Sequence, residues 1–324
     1  MEKSTHKVEV VPVYLQPHPN ADSLSVVTIF GGYTACVKTA DWHDGMLGAY
    51  IPPDSIVDTT RPEFAFLAGH DRTHERIKVK RLRGVVSMGL LIAAPAGASV
   101  GDDLAEYFGV THYEPPLPLY EGANERSPKG YHPSYDVDSL RRYGHLFTTG
   151  EPVWITEKIH GVNARYCCVD GALHAGSRTT WKRREPDSLW WRALDAQPEV
   201  AAFCEAHPDL TVYGEVYGQV QDLKYGTGRN EVRIAVFDLL RGNEWIAPAA
   251  AREIGAALPW VPCLAEALPF DLTAVLAMAE GPSLIAGAQH VREGIVVKPV
   301  KERTDSTVGR VCLKVVSNSY LERA

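Results

Sequence analysis

The sequence has no uncharged apolar run long enough to span a bilayer, and its opening residues, MEKSTHKVEV, contain no signal-peptide core. A membrane-embedded or exported chain is thereby set aside, and a cytoplasmic one is expected. Cysteine is scarce and unpatterned: Cys36, Cys167, Cys168, Cys204, Cys263 and Cys312 include no C-x-x-C spacing. That argues against a zinc finger or a thiol redox motif and for reduced thiols in the cytosol. Excess positive charge is missing too, since the net charge is −7 and the pI about 6.0. A chain that coats nucleic acid over its whole surface is excluded on that ground. A local basic groove is not, because salt confines the reach of each surface charge to about 10 Å. Internal repeats are also lacking.

What is present fits two domains of ordinary composition: 324 residues, 45% of them hydrophobic, supply enough apolar surface for two cores. Over 8–110, short apolar runs (8–15, 25–30, 34–38, 48–51, 89–93) alternate with clusters of Gly, Pro and Asp. Closely spaced strands with few helical patterns predict a small all-β barrel over 1–112. Residues 113–133, YEPPLPLYEGANERSPKGYHP, lack periodicity and read as a linker. The remainder, 134–324, reads as an α+β domain built from antiparallel hairpins. Strands are expected at 152–156, 163–169, 173–177, 211–216, 233–239, 294–298 and 311–316. Asp170-Gly171 is the dipeptide that a two-residue hairpin turn demands. Asp138 is placed to cap a short helix, SLRRY. A helix over 188–206 carries the stripe Leu189, Trp190, Leu194 and is interrupted at Pro198; another is expected over 272–279.

Two basic clusters stand out: Lys78, Lys80, Arg81 and Arg83, then Lys182, Arg183 and Arg184. Such runs are more often a solvated face than a site. The segment that carries chemistry is Glu157-Lys158-Ile159-His160-Gly161-Val162-Asn163. It places a lysine just past a strand, with a glycine three residues on that lets backbone approach a bound group closely. Alone, K-x-x-G is a weak signal. Its company is specific: Ser177-Arg178, then YGEVYG around Glu215, AVFD around Phe237, EGIVVK from Glu293 to Lys298, and CLK ending at Lys314.

This ordered set, over about residues 135–320, resembles the covalent nucleotidyltransferase superfamily of DNA ligases, RNA ligases and mRNA-capping enzymes. EKIHGVN is closer to the RNA-ligase form of the lysine motif, with His160 and Asn163 making the distinction. The chemistry explains the residue types. Lysine is nucleophilic only when neutral, so burial or neighbouring cations such as Lys298 and Lys314, or a bound metal, must lower its pKa. Charge developing on phosphates needs fixed cations, and a divalent ion needs carboxylate oxygens. An aromatic plane under adenine contributes about 1–3 kcal/mol.

The resemblance implies roles for individual residues. Lys158 is expected as the nucleophile that carries AMP from ATP, with Glu157, Gly161 and Asn163 among the residues that bind the nucleotide, and Asn163 and His160 organising the site around the lysine and the 5′-phosphate. Glu215 is expected on the ribose and Phe237 against the base, although a strand phenylalanine is by default core. Glu293 is expected to serve Mg²⁺ or Mn²⁺, and Lys298 and Lys314 the phosphates. Arg178 is expected near the ribose or the incoming strand end, where Arg165 or Lys182 could equally serve. The chain departs from the pattern in one place. Many relatives carry two lysines one residue apart in the last motif, and here only Lys314 is available.

The sequence runs ten residues beyond Lys314, so no OB domain of the kind that follows the last motif in DNA ligases and capping enzymes is expected. Instead QPHPNADSL (16–24) and KRLRGVVSMG (80–89) resemble OB modules of tRNA-handling proteins. That front-end arrangement is similar to the Deinococcus-type RNA ligase family. It implies sealing of breaks with a 3′-OH RNA end, nicks in duplexes above all, with no membrane and no obligate protein partner. Arg81 and Arg83, read as alternating on one strand face, and Arg178, Lys182, Arg183 and Arg184 are the candidate nucleic-acid contacts. Alternatives remain a DNA ligase, a capping-type guanylyltransferase, or a non-catalytic RNA-binding protein.

Overall fold

The computed structural model describes residues 6–69, 73–113 and 122–323. The chain forms two compact units. One comprises Met1–Pro115 with Arg141–Gly144 and Asn318–Ala324, and the other Pro116–Leu140 with His145–Ser317. Residues 114–121 of the expected linker lie outside the described residues. Among those that follow, Asn124–Glu125 is an edge strand of the second unit, paired with Trp181–Lys182.

The first unit is nearly all β. Its strands form small antiparallel sheets, with orders Glu9–Pro12/Leu47–Ile51/Leu90–Ala93 and Gln16–Pro17/Leu24–Ile29/Tyr33–Lys38. Two further groups are Thr111–His112/Ser55–Asp58/His74–Arg76 and the hairpin Lys80–Leu82/Val85–Ser87. Alternating apolar residues turn inward. Val11, Val13, Val27, Ile29, Val37 and Leu91 make one cluster, and Ile51, Val57, Phe64, Ile77 and Phe108 another.

Arg83 is not on a strand face with Arg81, contrary to the alternation read from the sequence. Arg83 and Gly84 are the two turn residues of the hairpin, with φ of 46° and 92°. A two-residue hairpin turn requires that left-handed pair. The QPHPNADSL segment braces this tip. His18 Nε2 donates to Leu82 O (3.1 Å), its Nδ1 accepts from the Asn20 N–H (3.1 Å), and Asn20 Nδ2 donates to Arg83 O (2.8 Å).

The second unit holds two sheets. The larger, seven-stranded sheet is centred on β2 (Val162–Val169), β3 (Ala172–Gly176), β4 (Leu210–Gly218) and β5 (Val232–Arg241). The smaller runs in the order Asp138–Ser139, β8 (Leu313–Val316), β7 (Gly294–Pro299), β1 (Pro152–Lys158), β6 (Cys263–Pro269). Asp138, two residues ahead of the short helix Leu140–Tyr143, also serves as a strand residue, pairing in parallel with Leu313. The Asp170-Gly171 turn is as expected, with φ of 52° and 76°. So is the break at Pro198, which separates helices Leu189–Ala196 and Pro198–Ala206. Their apolar faces cover the larger sheet. Trp190 is 1% exposed and donates from Nε1 to Asn163 O at 2.9 Å, which fixes β2 from behind. Among the described residues no helix is long and apolar enough to cross a membrane, and all six cysteines are free thiols.

An ion cluster ties the two sheets together. Asp238 of β5, 1% exposed, accepts from Lys298 Nζ of β7 (2.7 Å), from Arg310 (2.9 and 3.1 Å) and from the Tyr135 hydroxyl. Burial alone would raise its pKa. The Arg310 and Lys298 cations outweigh that and hold it below the ordinary carboxylate value. Asp238→Ala leaves two cations in a dry site without their shared anion. A loss of about 3–5 kcal/mol is expected in urea denaturation, and a loss under 1 kcal/mol would show that the cluster is not a strut.

The first unit has a pH-sensitive contact of its own. His6 is part-buried, packs against the tilted His112 ring with centroids 4.4 Å apart, and donates from Nε2 to Ser55 Oγ at 2.8 Å. Burial, then His112, pull its pKa down to about 4. Below about pH 6.5 the unfolded chain binds a proton that the folded chain refuses. The stabilisation is thus complete above that pH and is lost as pH falls toward about 4. The melting temperature of wild type should drop more steeply over that window than that of His6→Gln. Parallel melting curves would remove His6 from the account.

Candidate functional site

The site forms where the chain leaves the smaller sheet and enters the larger. β1 ends at Lys158, residues 159–161 cross over, and β2 begins at Val162. Gly161 is packed so closely at this crossing that a Cβ would lie 2.1 Å from Val216 O. Only glycine fits there, which gives the fourth position of K-x-x-G its physical reason.

Strand alternation sets which side chains share a face. Lys158 pairs with Gly294, Thr156 with Val296, and Val296 with Lys314, so Lys158 and Lys314 lie on one face. Glu293, just ahead of β7, brings both carboxylate oxygens to 2.7 Å from Lys158 Nζ. From the larger sheet come Asn163 and Glu215, directly paired across β2 and β4. The structure thus gathers Lys158, His160, Gly161, Asn163, Glu215, Glu293 and Lys314.

The electrostatics of this group are divided. Burial works against ionised Glu293, yet the Lys158 ammonium and His160 pull its pKa down to about 2. Glu215, mainly through burial and then through Glu293, is pushed up to about 8 despite Lys158. Lys314 is lowered by burial and by Lys158. Lys158 itself differs from the sequence expectation of a lowered pKa. Burial pushes it down, but Glu293 and Glu215 more than offset this and hold the amine protonated. Lys298 does not supply the expected neighbouring positive charge at Lys158, because its ammonium is turned to Asp238 and to Phe237 O (2.9 Å).

Phe237 is part-buried against Tyr135, with ring centroids 4.5 Å apart. Tyr213 pairs with Asp238 and Gly214 with Val236, so Phe237 is the extra residue of a β-bulge. Bulges re-aim side chains beside sites of this kind. Glu157 faces away from Lys158, its carboxylate taken by Ser283 Oγ (2.5 Å) and the Leu284 N–H (2.7 Å). Arg178 is half exposed and paired with Asp136 at 3.1 Å. Lys182 is 2% exposed, donating to Asn124 Oδ1 (3.0 Å) over the Trp190 ring (4.8 Å). Arg183 is exposed, and Arg184 pairs with Asp195 at 2.7 Å over Trp191. In the first unit, Arg81 is half exposed and paired with Glu322 at 2.6 Å.

The sequence reading missed Asp222 and Tyr225. Asp222 Oδ1 is 2.6 Å from His160 Nε2, and the Tyr225 hydroxyl accepts the His160 N–H at 2.6 Å. Both come from an irregular stretch after β4, where no periodicity could have marked them.

One atom of the site is left for a further polar partner. Asn163 Oδ1 is buried without a hydrogen-bond partner, an atom that folding alone leaves unsatisfied. Among the described residues no group of three or more His, Cys, Asp or Glu side chains forms a ready metal cage. A magnesium-type ion needs none, being held by one or two carboxylates with phosphate oxygens and water.

Comparison with known proteins agrees with this geometry. The RNA ligase family model matches residues 151–316, a little over half of the chain, and an OB-fold domain model matches residues 7–94. Three structures of a Naegleria gruberi RNA ligase are similar over 98% of this chain at 22% identity. An apo form has a TM-score of 0.83 with 98% of its own chain covered. A form with ATP and Mn has 0.83 with 99% covered, and a form with AMP and Mn has 0.80 with 98%. At this identity the likeness establishes the fold. No curated protein matches in sequence. The family match spans every motif from the Lys158 loop to Lys314, and this chain belongs to the RNA ligase family, with an OB-fold domain at its front.

Proposed function

We propose that the protein is an ATP-dependent RNA ligase that carries AMP on Lys158 and seals 3′-OH RNA ends to 5′-phosphates in nicked duplexes. The observation that carries this is the placement of Lys158, with Glu293 at 2.7 Å and Lys314 on the same face, beside the Gly161 crossover. The similar Naegleria structures hold ATP or AMP with manganese, and the same ligands suit this site. The unpaired cysteines fit a reducing, cytoplasmic setting.

The amine of Lys158 attacks the α-phosphorus of ATP, a P–N bond forms, and pyrophosphate leaves. Before that the amine must lose its proton, which two carboxylate oxygens at 2.7 Å oppose. Once Glu293 loosens its hold, burial and Lys314 drive the amine toward neutrality. Glu293 is the residue to hold Mg²⁺ or Mn²⁺, which when bound neutralises phosphate charge. Lys314 faces the same region as the one lysine of the last motif. Glu215 and Asn163 offer polar atoms for the ribose, and Phe237 a ring for the base. In the second step an oxygen of the RNA 5′-phosphate attacks the same phosphorus, and the P–N bond breaks with return of a proton to nitrogen. The 3′-OH then attacks the activated 5′-phosphorus, and AMP departs as the phosphodiester forms.

Incubation with α-labelled ATP and manganese should label wild type and leave Lys158→Ala unlabelled. A labelled Lys158→Ala protein would refute the assignment, and labelling by GTP in place of ATP would move it to the capping class. On nicked duplexes with each combination of RNA and DNA ends, sealing should require RNA at the 3′-OH side and tolerate either sugar at the 5′-phosphate side. Efficient sealing of an all-DNA nick would overturn that specificity.

A further inference from the structure

The loop after β4 does more than connect strands. It reaches back to the lysine loop at two points, the Tyr225 hydroxyl on the His160 N–H and the Asp222 carboxylate on the His160 ring. Tyr225 achieves this at a φ of 53°, followed by Gly226 at 70°. A bulky side chain pays for a left-handed backbone with strain, which persists only where the surroundings enforce it. Here they do. Tyr225 is 2% exposed, His290 packs edge-on against it at 4.6 Å, and a Cβ at Gly226 would lie 2.3 Å from Gly287 O.

The imidazole of His160 stands between two carboxylates. Nε2 is 2.6 Å from Asp222 Oδ1 and Nδ1 is 3.7 Å from Glu293 Oε1, the oxygen that also holds Lys158. The partner of one ring nitrogen decides the tautomer and which nitrogen faces the other way. We infer that Asp222 is a positioning residue for the ligase reaction, fixing the His160 ring so that Nδ1 faces the Glu293–Lys158 pair, with the Tyr225 turn as its rigid mount. This rests on the ligase reading above and adds to it a residue outside the ordered motifs.

A residue that positions the His160 ring is felt through that ring, so on this inference the loss of Asp222 costs little once His160 is gone. The Asp222 side chain is 61% exposed, so substitution leaves the core untouched. With the full chain, α-labelled ATP and manganese, single-turnover adduct formation and nick sealing are compared for wild type, Asp222→Ala, Asp222→Asn, His160→Ala and the double variant. Asp222→Ala should slow the reaction by about 10-fold or more, the range seen when the partner of a functional histidine is removed. Asp222→Asn, whose amide oxygen still accepts from Nε2–H, should recover most of that rate. The double variant should be no slower than His160→Ala. Nitrogen-15 NMR reads the ring directly: the signals assigned to His160 by their loss in His160→Ala should show a shifted tautomer balance in Asp222→Ala. Wild-type rates in Asp222→Ala, losses that add fully in the double variant, or an unchanged tautomer balance would each overturn the inference. A wild-type chain that takes no label from ATP would instead overturn the ligase reading itself.

Discussion

An ammonium with both oxygens of one carboxylate at 2.7 Å is the interaction around which the second unit is arranged. The pair is part-buried, so its attraction must outweigh the loss of water around both charges. It does so by sorting the acids of the site. Glu293 takes the charge and drops to about 2, while Glu215, left in the same dry space, rises to about 8. Two carboxylates with one sequence chemistry thereby acquire different behaviour from their surroundings alone. An ammonium held in this way cannot act as a nucleophile until its partner is occupied elsewhere. On the proposed reading, that restraint keeps the lysine from reacting before its nucleotide is in place.

The second organising element is the ion cluster at Asp238. Lys298 belongs to the smaller sheet and Asp238 to the larger, so their contact sets how the two sheets meet within this unit. The same ammonium also takes Phe237 O, fixing the bulge that directs the aromatic ring. In this state the Lys298 ammonium is engaged by protein groups on both counts. By strand alternation Lys298 and Lys314 both share the face of Lys158, but the Lys298 ammonium is taken by Asp238.

The lysine loop, the Asp170-Gly171 turn, the helix break at Pro198 and most long strands were legible because each has a local signature: a spacing, a turn dipeptide, a ring that stops a helix, or alternation. What escaped was non-local. Strand Cys263–Pro269 is largely solvent-facing and lacks alternation. The parallel pairing of Asp138 with Leu313 has no local signature, because its partner lies 175 residues along the chain. Arg83 looked like a strand residue because its left-handed φ follows from the following glycine and from the His18 and Asn20 brace, over 60 residues away. Lys182 read as a surface cation, and only the fold reveals that Trp190 and Asn124 enclose it. The state of Lys158 was misjudged for the same reason. Sequence names the neighbours but not their distances, and at short range the acid nearest the amine decides.

Gly161 has a counterpart at Gly294, where a Cβ would fall 1.9 Å from Val315 O. Both glycines press main chain against main chain, one three residues after Lys158 and one directly after Glu293. The spacing of the strands at those two points is therefore set by backbone contact, and any side chain larger than hydrogen at either glycine would have to push the strands apart.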